Sequence, residues 1–183
     1  LPEREFKSGI AEIIKYGLIY NKKIFNIFDK RHKQILKKNQ RVVEELIHES
    51  VKTKAKIVTE DERELGIRAI LNFGHTYGHA IEAINNYKNI LHGEAVAMGM
   101  RMASKMSMLE GHLNEKAYKK IINVFDELGF PKNTSNNYSD LKKFILSDKK
   151  VKGGNINLIL LKGIGLSFQT QKFNSENFKK SFS

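Results

Sequence analysis

The chain has no cysteine, and this excludes disulfides, thiolate zinc sites and thiol nucleophiles. It fits a reducing compartment, and a cytoplasmic protein is expected. No apolar run approaches the roughly 18 residues of a spanning helix, so no membrane partner is expected. No signal-peptide pattern opens the chain. It begins at Leu1, which reads as a fragment or a trimmed product. Neither GxGxxG nor GxxxxGK[ST] occurs, so the chain shows no phosphate-cradling loop of its own. No His-Asp dipeptide occurs, which argues against an HD-type phosphohydrolase, and no Glu follows His75, so the zincin pattern is excluded.

Arginine is scarce. Only six of the 32 basic residues are Arg, yet the net charge is +12. Such an excess can serve nucleic acid or an anionic substrate. The lysines are densest between Lys22 and Lys56 but spread over the whole chain. Base-edge readers lean on Arg and Asn, so a solvated lysine surface is the favoured reading and no nucleic-acid partner is expected. A basic helical nucleic-acid module remains the contrasting class, and a steep salt dependence of binding would mark it.

At 183 residues the chain makes one domain, or one and a small appendage, and can bury roughly 70% of its unfolded surface. An extended entry is expected over 1–7, with Ser8 as the cap of a first helix. Ile10, Ile13, Ile14, Gly17, Leu18 and Ile24 give that helix an apolar stripe to about Phe28. A second helix over 31–58 is expected to turn Ile35, Leu36, Val42, Val43, Leu46, Ile47 and Val51 inward. The acidic turn Glu60-Asp61-Glu62 and Gly66 break the pattern. Further helices are expected over 71–86, 93–109 and 115–128, the last closed by Gly129 and Pro131. The methionines of the fourth, Met98, Met100, Met102 and Met106, read as core packing. A loop over 133–137, a short helix capped by Ser139, strands over 156–161 and 166–170 around Lys162-Gly163-Ile164-Gly165, and a last helix over 175–180 complete the chain. The expected fold is mainly α: a multi-helix bundle over 1–183 with a small β-hairpin near the C-terminus.

The chemistry concentrates in the stretch 68–94, RAILNFGHTYGHAIEAINNYKNILHGE, which holds three of the six histidines. His75 and His79 are four apart, one helical turn, and Gly74 and Gly78 before them allow a close neighbour. Glu82 follows His79 by three and can share that face. His92 opens the next apolar-periodic run. Two histidines at helical spacing plus a third from the next helix make a divalent-metal framework, or two satisfied helix histidines and a helix-start histidine; spacing leaves both open. Glu12 and Lys15 share a face of the first helix. An exposed pair there is worth only a few tenths of a kcal/mol, but the surrounding segment is strongly apolar, and buried charges need partners or a metal.

Taken together, SGIAEIIKYGLI, DERELGIRAILNFGHTYGHAIE and LHGEAVAMGM resemble the 3-dehydroquinate synthases of the sugar-phosphate cyclase family, over nearly the whole chain. The GHTYGHAIE and HGEA pair is the specific part. The resemblance implies the C-terminal α-helical metal- and substrate-binding domain, with an N-terminal Rossmann-like NAD domain absent from this chain, a homodimer in the full-length enzyme, and an isolated fragment that is inactive. The implied activity is a phosphate-eliminating carbon–oxygen lyase. It converts 3-deoxy-D-arabino-heptulosonate 7-phosphate to 3-dehydroquinate in the shikimate pathway of aromatic amino acid biosynthesis, with NAD and Zn²⁺ or Co²⁺ as cofactors. By position, Glu12, His75 and His92 match the metal ligands. Lys15, Lys54, Arg68, Asn72, His79 and Lys149 match the groups that hold the sugar acid phosphate, with Lys150 competing with Lys149 for register. Arg68, Asn72 and His75 are expected on one helical face. The alternatives are a cyclase of the 2-deoxy-scyllo-inosose synthase type, which shares the metal triad, and a metal-dependent polyol dehydrogenase, against which Glu12 with Lys15 argues.

Overall fold

The structure is a computed structural model and describes residues 1–61, 66–132, 134, 138–147 and 156–182. Helices α1 (Glu3–Ile19), α2 (Lys22–Leu36) and α3 (Gln40–Glu60) lead into a 3-10 helix (Ile67–Asn72). There follow α4 (His75–Ile84), α5 (His92–Leu109), α6 (Glu115–Glu127) and α7 (Tyr138–Ser147), then strands β1 (Leu158–Gly163) and β2 (Leu166–Thr170), and α8 (Ser175–Lys180). This is the helical bundle with a hairpin near its C-terminal end that the sequence predicts.

α5 is the axis. Its Ala and Met positions are buried nearly all round, from Ala95 to Ser107, as expected of a helix enclosed on every side. α4, α1, β1, α6 and α8 pack around it. Fully buried Ile14, Leu18, Phe25, Phe28, Phe73 and Phe125 fill the space between; each contributes on the order of 2–3 kcal/mol by leaving water. Met98, Met100, Met102 and Met106 are buried in this core. The hairpin is antiparallel, with Leu158 opposite Thr170 and Leu161 opposite Ser167. It is pinned to the bundle at three points. The Leu161 amide donates to Ser107 Oγ at 2.9 Å, Ser167 Oγ donates to the Ile19 carbonyl at 3.0 Å, and the Gly165 amide donates to the Leu18 carbonyl at 2.8 Å.

Several boundaries differ from expectation. The chain is helical from Glu3, with Pro2 at the cap position, so Ser8 lies inside α1 and does not cap it. The first long helix is cut at Tyr20–Asn21 and restarted by Asn21, whose side chain accepts from the Lys23 amide at 3.2 Å. α2 then kinks at Arg31, where the backbone leaves helical angles, and runs on to Leu36. Asn39 caps α3, and Asp61 ends it by accepting from the Gly66 and Arg68 amides at 2.8 and 3.0 Å. Of the residues expected inward, Ile35, Val42 and Leu46 are buried, while Leu36, Ile47 and Val51 are exposed. The helix expected over 71–86 is a 3-10 turn followed by a bend at Phe73–Gly74 and only then α4. The strand expected over 156–161 begins at Leu158. Most of the 133–137 loop, Glu62, and 148–155, which holds Lys149 and Lys150, lie outside the described residues.

Candidate metal and substrate site

Two close approaches bring α1, α4 and α5 to one point. Gly74 sits at φ +79°, a conformation that costs a side-chain-bearing residue about 1–2 kcal/mol. A Cβ on Gly99 would collide with the Gly74 carbonyl, so the start of α4 lies directly on α5. At the other end a Cβ on Gly93 would strike the Ser8 backbone, and the Gly93 amide donates to Ser8 Oγ at 3.0 Å. Glu94 fixes the same corner. It accepts from the amide of the cap residue Leu91 at 2.9 Å, and takes both Arg4 Nε and Nη2 at 2.6 Å. The first turn of α5, with His92 in it, is thereby clamped to α1, with Glu12 in it.

Glu12, His75 and His92 offer one ligand atom each, all within 4.8 Å of one another. Oε1 of Glu12 lies 3.7 Å from Nε2 of His75 and 3.7 Å from Nε2 of His92, too long for hydrogen bonds. That oxygen is buried and has no hydrogen-bond partner among the described residues. The other, Oε2, takes the Lys15 ammonium at 2.6 Å. Ligands about 2.0–2.2 Å from a tetrahedral zinc stand roughly 3.4 Å apart. An orphaned carboxylate oxygen facing two imidazole nitrogens at 3.7 Å thus fits a Zn²⁺ or Co²⁺ ion with little adjustment.

The rings are oriented from behind. His75 Nδ1 lies 3.1 Å from the Phe73 carbonyl and His92 Nδ1 lies 3.0 Å from Glu82 Oε1. Both partners only accept, so each Nδ1 carries the proton and each Nε2 presents its lone pair towards Glu12. Burial, then the Lys15 charge, pushes His75 down to about 4 against the pull of Glu12, so it is neutral at pH 7 and ready to ligate. Burial alone would raise the Glu12 carboxyl, but Lys15, His75 and His92 together hold it below its ordinary value. Burial lowers the Lys15 ammonium, Glu12 partly offsets this, and Lys54 on α3 adds to the lowering.

His79 stacks edge-on to His75 with ring centroids 5.4 Å apart. It is not one of the three convergent ligands. With Asn72 and His75 it instead lines a cavity of about 100 Å³, whose other polar walls are Thr76, Asn157 and Gln169. Those three were not anticipated: they gain meaning only when the segment entering the hairpin reaches α4, where Thr76 Oγ1 donates to the Asn157 carbonyl at 3.2 Å. Arg68 and Asn72 stand on the 3-10 helix, not on one α-helical face with His75, and Arg68 does not line this cavity. Lys54 is exposed beside Lys15. The clamps that Arg4 makes with Glu94 and Ser8 with Gly93 also escaped sequence reading, although Glu94, third in its helix, is a capping signal.

The fold and this constellation define the class: the chain has the fold of the sugar-phosphate cyclases. It aligns with 2-epi-5-epi-valiolone synthase of Streptomyces hygroscopicus, solved with NAD⁺ and Zn²⁺ bound, at a TM-score of 0.88 and 22% identity, covering 99% of this chain and 51% of that one. It aligns with a 2-deoxy-scyllo-inosose synthase complexed with carbaglucose-6-phosphate, NAD⁺ and Co²⁺ at 0.80 and 25%, covering 100% and 53%. The chain belongs to the family described as 3-dehydroquinate synthase C-terminal, whose model matches residues 9–151. A 3-dehydroquinate synthase of Dictyoglomus thermophilum is 46% identical over 165 residues, 90% of this chain and 46% of the relative. One of Thermodesulfovibrio yellowstonii is 42% identical over 182 residues, 98% and 51%. The chain therefore spans about half the length of the curated relatives it matches. Among the described residues no helix is long and apolar enough to cross a membrane.

Proposed function

We propose that this chain carries the metal site and part of the substrate site of a 3-dehydroquinate synthase, which turns 3-deoxy-D-arabino-heptulosonate 7-phosphate into 3-dehydroquinate with loss of phosphate. NAD is held mainly by the length of the enzyme that this chain does not span. The observation that carries the reading is Glu12 Oε1, without a hydrogen-bond partner among the described residues and 3.7 Å from two imidazole Nε2 atoms. Glu12, His75 and His92 hold the ion, which when bound polarises the substrate oxygens it touches. Three protein ligands leave a side open for substrate, as a catalytic site needs.

The chain's own side chains do the remainder. Burial is the main cause of the lowered Lys15 ammonium, the nearby Lys54 adds to it, and an anionic substrate group relieves that repulsion. Arg68 adds charge from the 3-10 helix, and Lys149 is assigned the same task by position. Asn72 and His79 face the cavity beside the metal ligands. Asn72 orients substrate hydroxyls there, and His79 moves a proton at a substrate oxygen, a task suited to an imidazole near neutral pH.

The test is phosphate release by the full-length enzyme with Zn²⁺ and NAD, given either 3-deoxy-D-arabino-heptulosonate 7-phosphate or glucose 6-phosphate. Release from the heptulosonate is expected. Release from glucose 6-phosphate alone would move the chain to the inosose-synthase type of cyclase. The chain by itself is expected to release none.

A further inference from the structure

The two histidines facing Glu12 are supported differently. His75 leans on a neutral backbone carbonyl, that of Phe73, at 3.1 Å. His92 leans on a carboxylate, Glu82 Oε1, at 3.0 Å. Glu82 comes from the last turns of α4 and His92 opens α5, so this contact bridges the two helices. The Glu82 side chain is only 12% exposed, whereas the His92 side chain is 48% exposed. The half-exposed ring touches the rings of His75 and His79, with centroids 5.4 and 6.3 Å away, but it is Glu82 that hydrogen-bonds its Nδ1 and so sets which nitrogen carries the proton. A carboxylate behind an imidazole also makes the far nitrogen a stronger donor.

We infer that Glu82 is a positioning residue for the metal site. Its carboxylate locks His92 as the Nδ1–H tautomer and aims Nε2 at the point faced by Glu12 Oε1, so that the affinity of the site for a divalent cation depends on Glu82 although Glu82 does not ligate. The charges point the same way. Lys15 already occupies one oxygen of Glu12, which weakens the attraction of that ligand for a cation. The anionic Glu82 behind His92 restores negative charge to the site without closing the side left open for substrate.

This inference rests on the metal reading above, and the test separates the two. Co²⁺ is titrated into metal-free wild type, Glu82→Gln and Glu82→Ala, read by the visible d–d absorption of the bound ion, and the melting of each metal-free protein is recorded. Glu82→Gln keeps size and an acceptor oxygen but removes the charge. We expect it to weaken Co²⁺ binding by about 10- to 100-fold, with the metal-free melting temperature unchanged within a degree or two, and Glu82→Ala to weaken it at least as much. A Glu82→Gln affinity within threefold of wild type overturns the inference and leaves the metal reading intact. So does a loss that accompanies an equal fall in metal-free stability in both variants, because a merely structural role would produce it. Wild type that binds no Co²⁺ overturns the metal reading itself.

Discussion

The ammonium of Lys15 lies 2.6 Å from Oε2 of Glu12, one turn earlier on α1, and Lys15 is only 4% exposed. Lys15 is therefore the counter-charge of the Glu12 carboxylate. A metal ion held by the proposed ligands would compete with Lys15 for that negative charge. The Lys15→Met variant should lose about 2 kcal/mol in the metal-free state. That is less than the 3–5 kcal/mol for breaking a fully buried pair, because Glu12 is a third exposed. Zn²⁺ should then stabilise the variant more than it stabilises wild type. Thermal melts of both proteins with and without Zn²⁺ decide this; equal metal shifts would show that Lys15 and the ion do not share Glu12.

The second prediction concerns the corner where α5 meets α1. A methyl group on Gly93 would collide with the Ser8 backbone, and backbone cannot rotate away. Gly93→Ala should cost about 1–3 kcal/mol through overpacking. It should also weaken metal binding, because relief requires moving the turn that carries His92 away from the helix that carries Glu12. Calorimetric unfolding together with a metal titration checks it. A variant that loses stability but binds metal normally would uncouple the corner from the site.

The regular parts of the fold were readable because their signals are local. α5 and α6 show helical periodicity with glycine stops, and the hairpin shows two short apolar runs around a glycine turn. The break at Tyr20–Asn21 was not, since neither Gly nor Pro marks it and a single Asn cap is a weak signal. Ile47 and Val51 look like core residues but face solvent, because apolar identity constrains burial only when a neighbour exists to cover the face. At the site, the histidines announced themselves by spacing, whereas assigning Glu12 a ligand's role took the family resemblance. The clamps Arg4–Glu94 and Ser8–Gly93 span 90 and 85 residues, and no local pattern encodes a contact of that separation.

A third prediction lies away from the site. Arg101 is buried on α5 and donates to Asp126 Oδ1 at 2.6 Å and to the Phe130 carbonyl at 3.3 Å. Burial would raise the Asp126 carboxyl, but hydrogen bonds from Arg101 and Lys132 outweigh it and hold the group below its ordinary value. A carboxylate with a depressed folded-state pKa stabilises the protein above its unfolded pKa of about 3.9 and loses that contribution as pH falls through the folded value. Asp126→Asn should cost about 2 kcal/mol at pH 7, and the gap to wild type should begin to narrow only below about pH 4 and close as pH falls through the lower folded-state value. Urea unfolding at pH 7 and pH 3.5 measures both; a gap independent of pH would mean that the charge contributes nothing.

The last prediction separates His75 from His79. They are one helical turn apart with ring centroids at 5.4 Å, so spacing alone allows both to reach one ion. The structure distributes them differently. Both rings line the cavity with Asn72, but Nε2 of His75 faces Glu12 Oε1 at 3.7 Å, whereas His79 is not in the convergent ligand group. A fourth protein ligand would also close the site against substrate and give it the character of a structural zinc. His75→Ala and His92→Ala should therefore purify with little metal. His79→Ala should keep near-stoichiometric metal while turnover of the full-length enzyme falls by about 100-fold or more, the range expected for loss of a proton-transfer group. Elemental analysis of the three variants, alongside their rates, decides it. If His79→Ala emptied the site as fully as His75→Ala, a four-ligand centre would replace the three-ligand one, and His79 would no longer be available to move a proton.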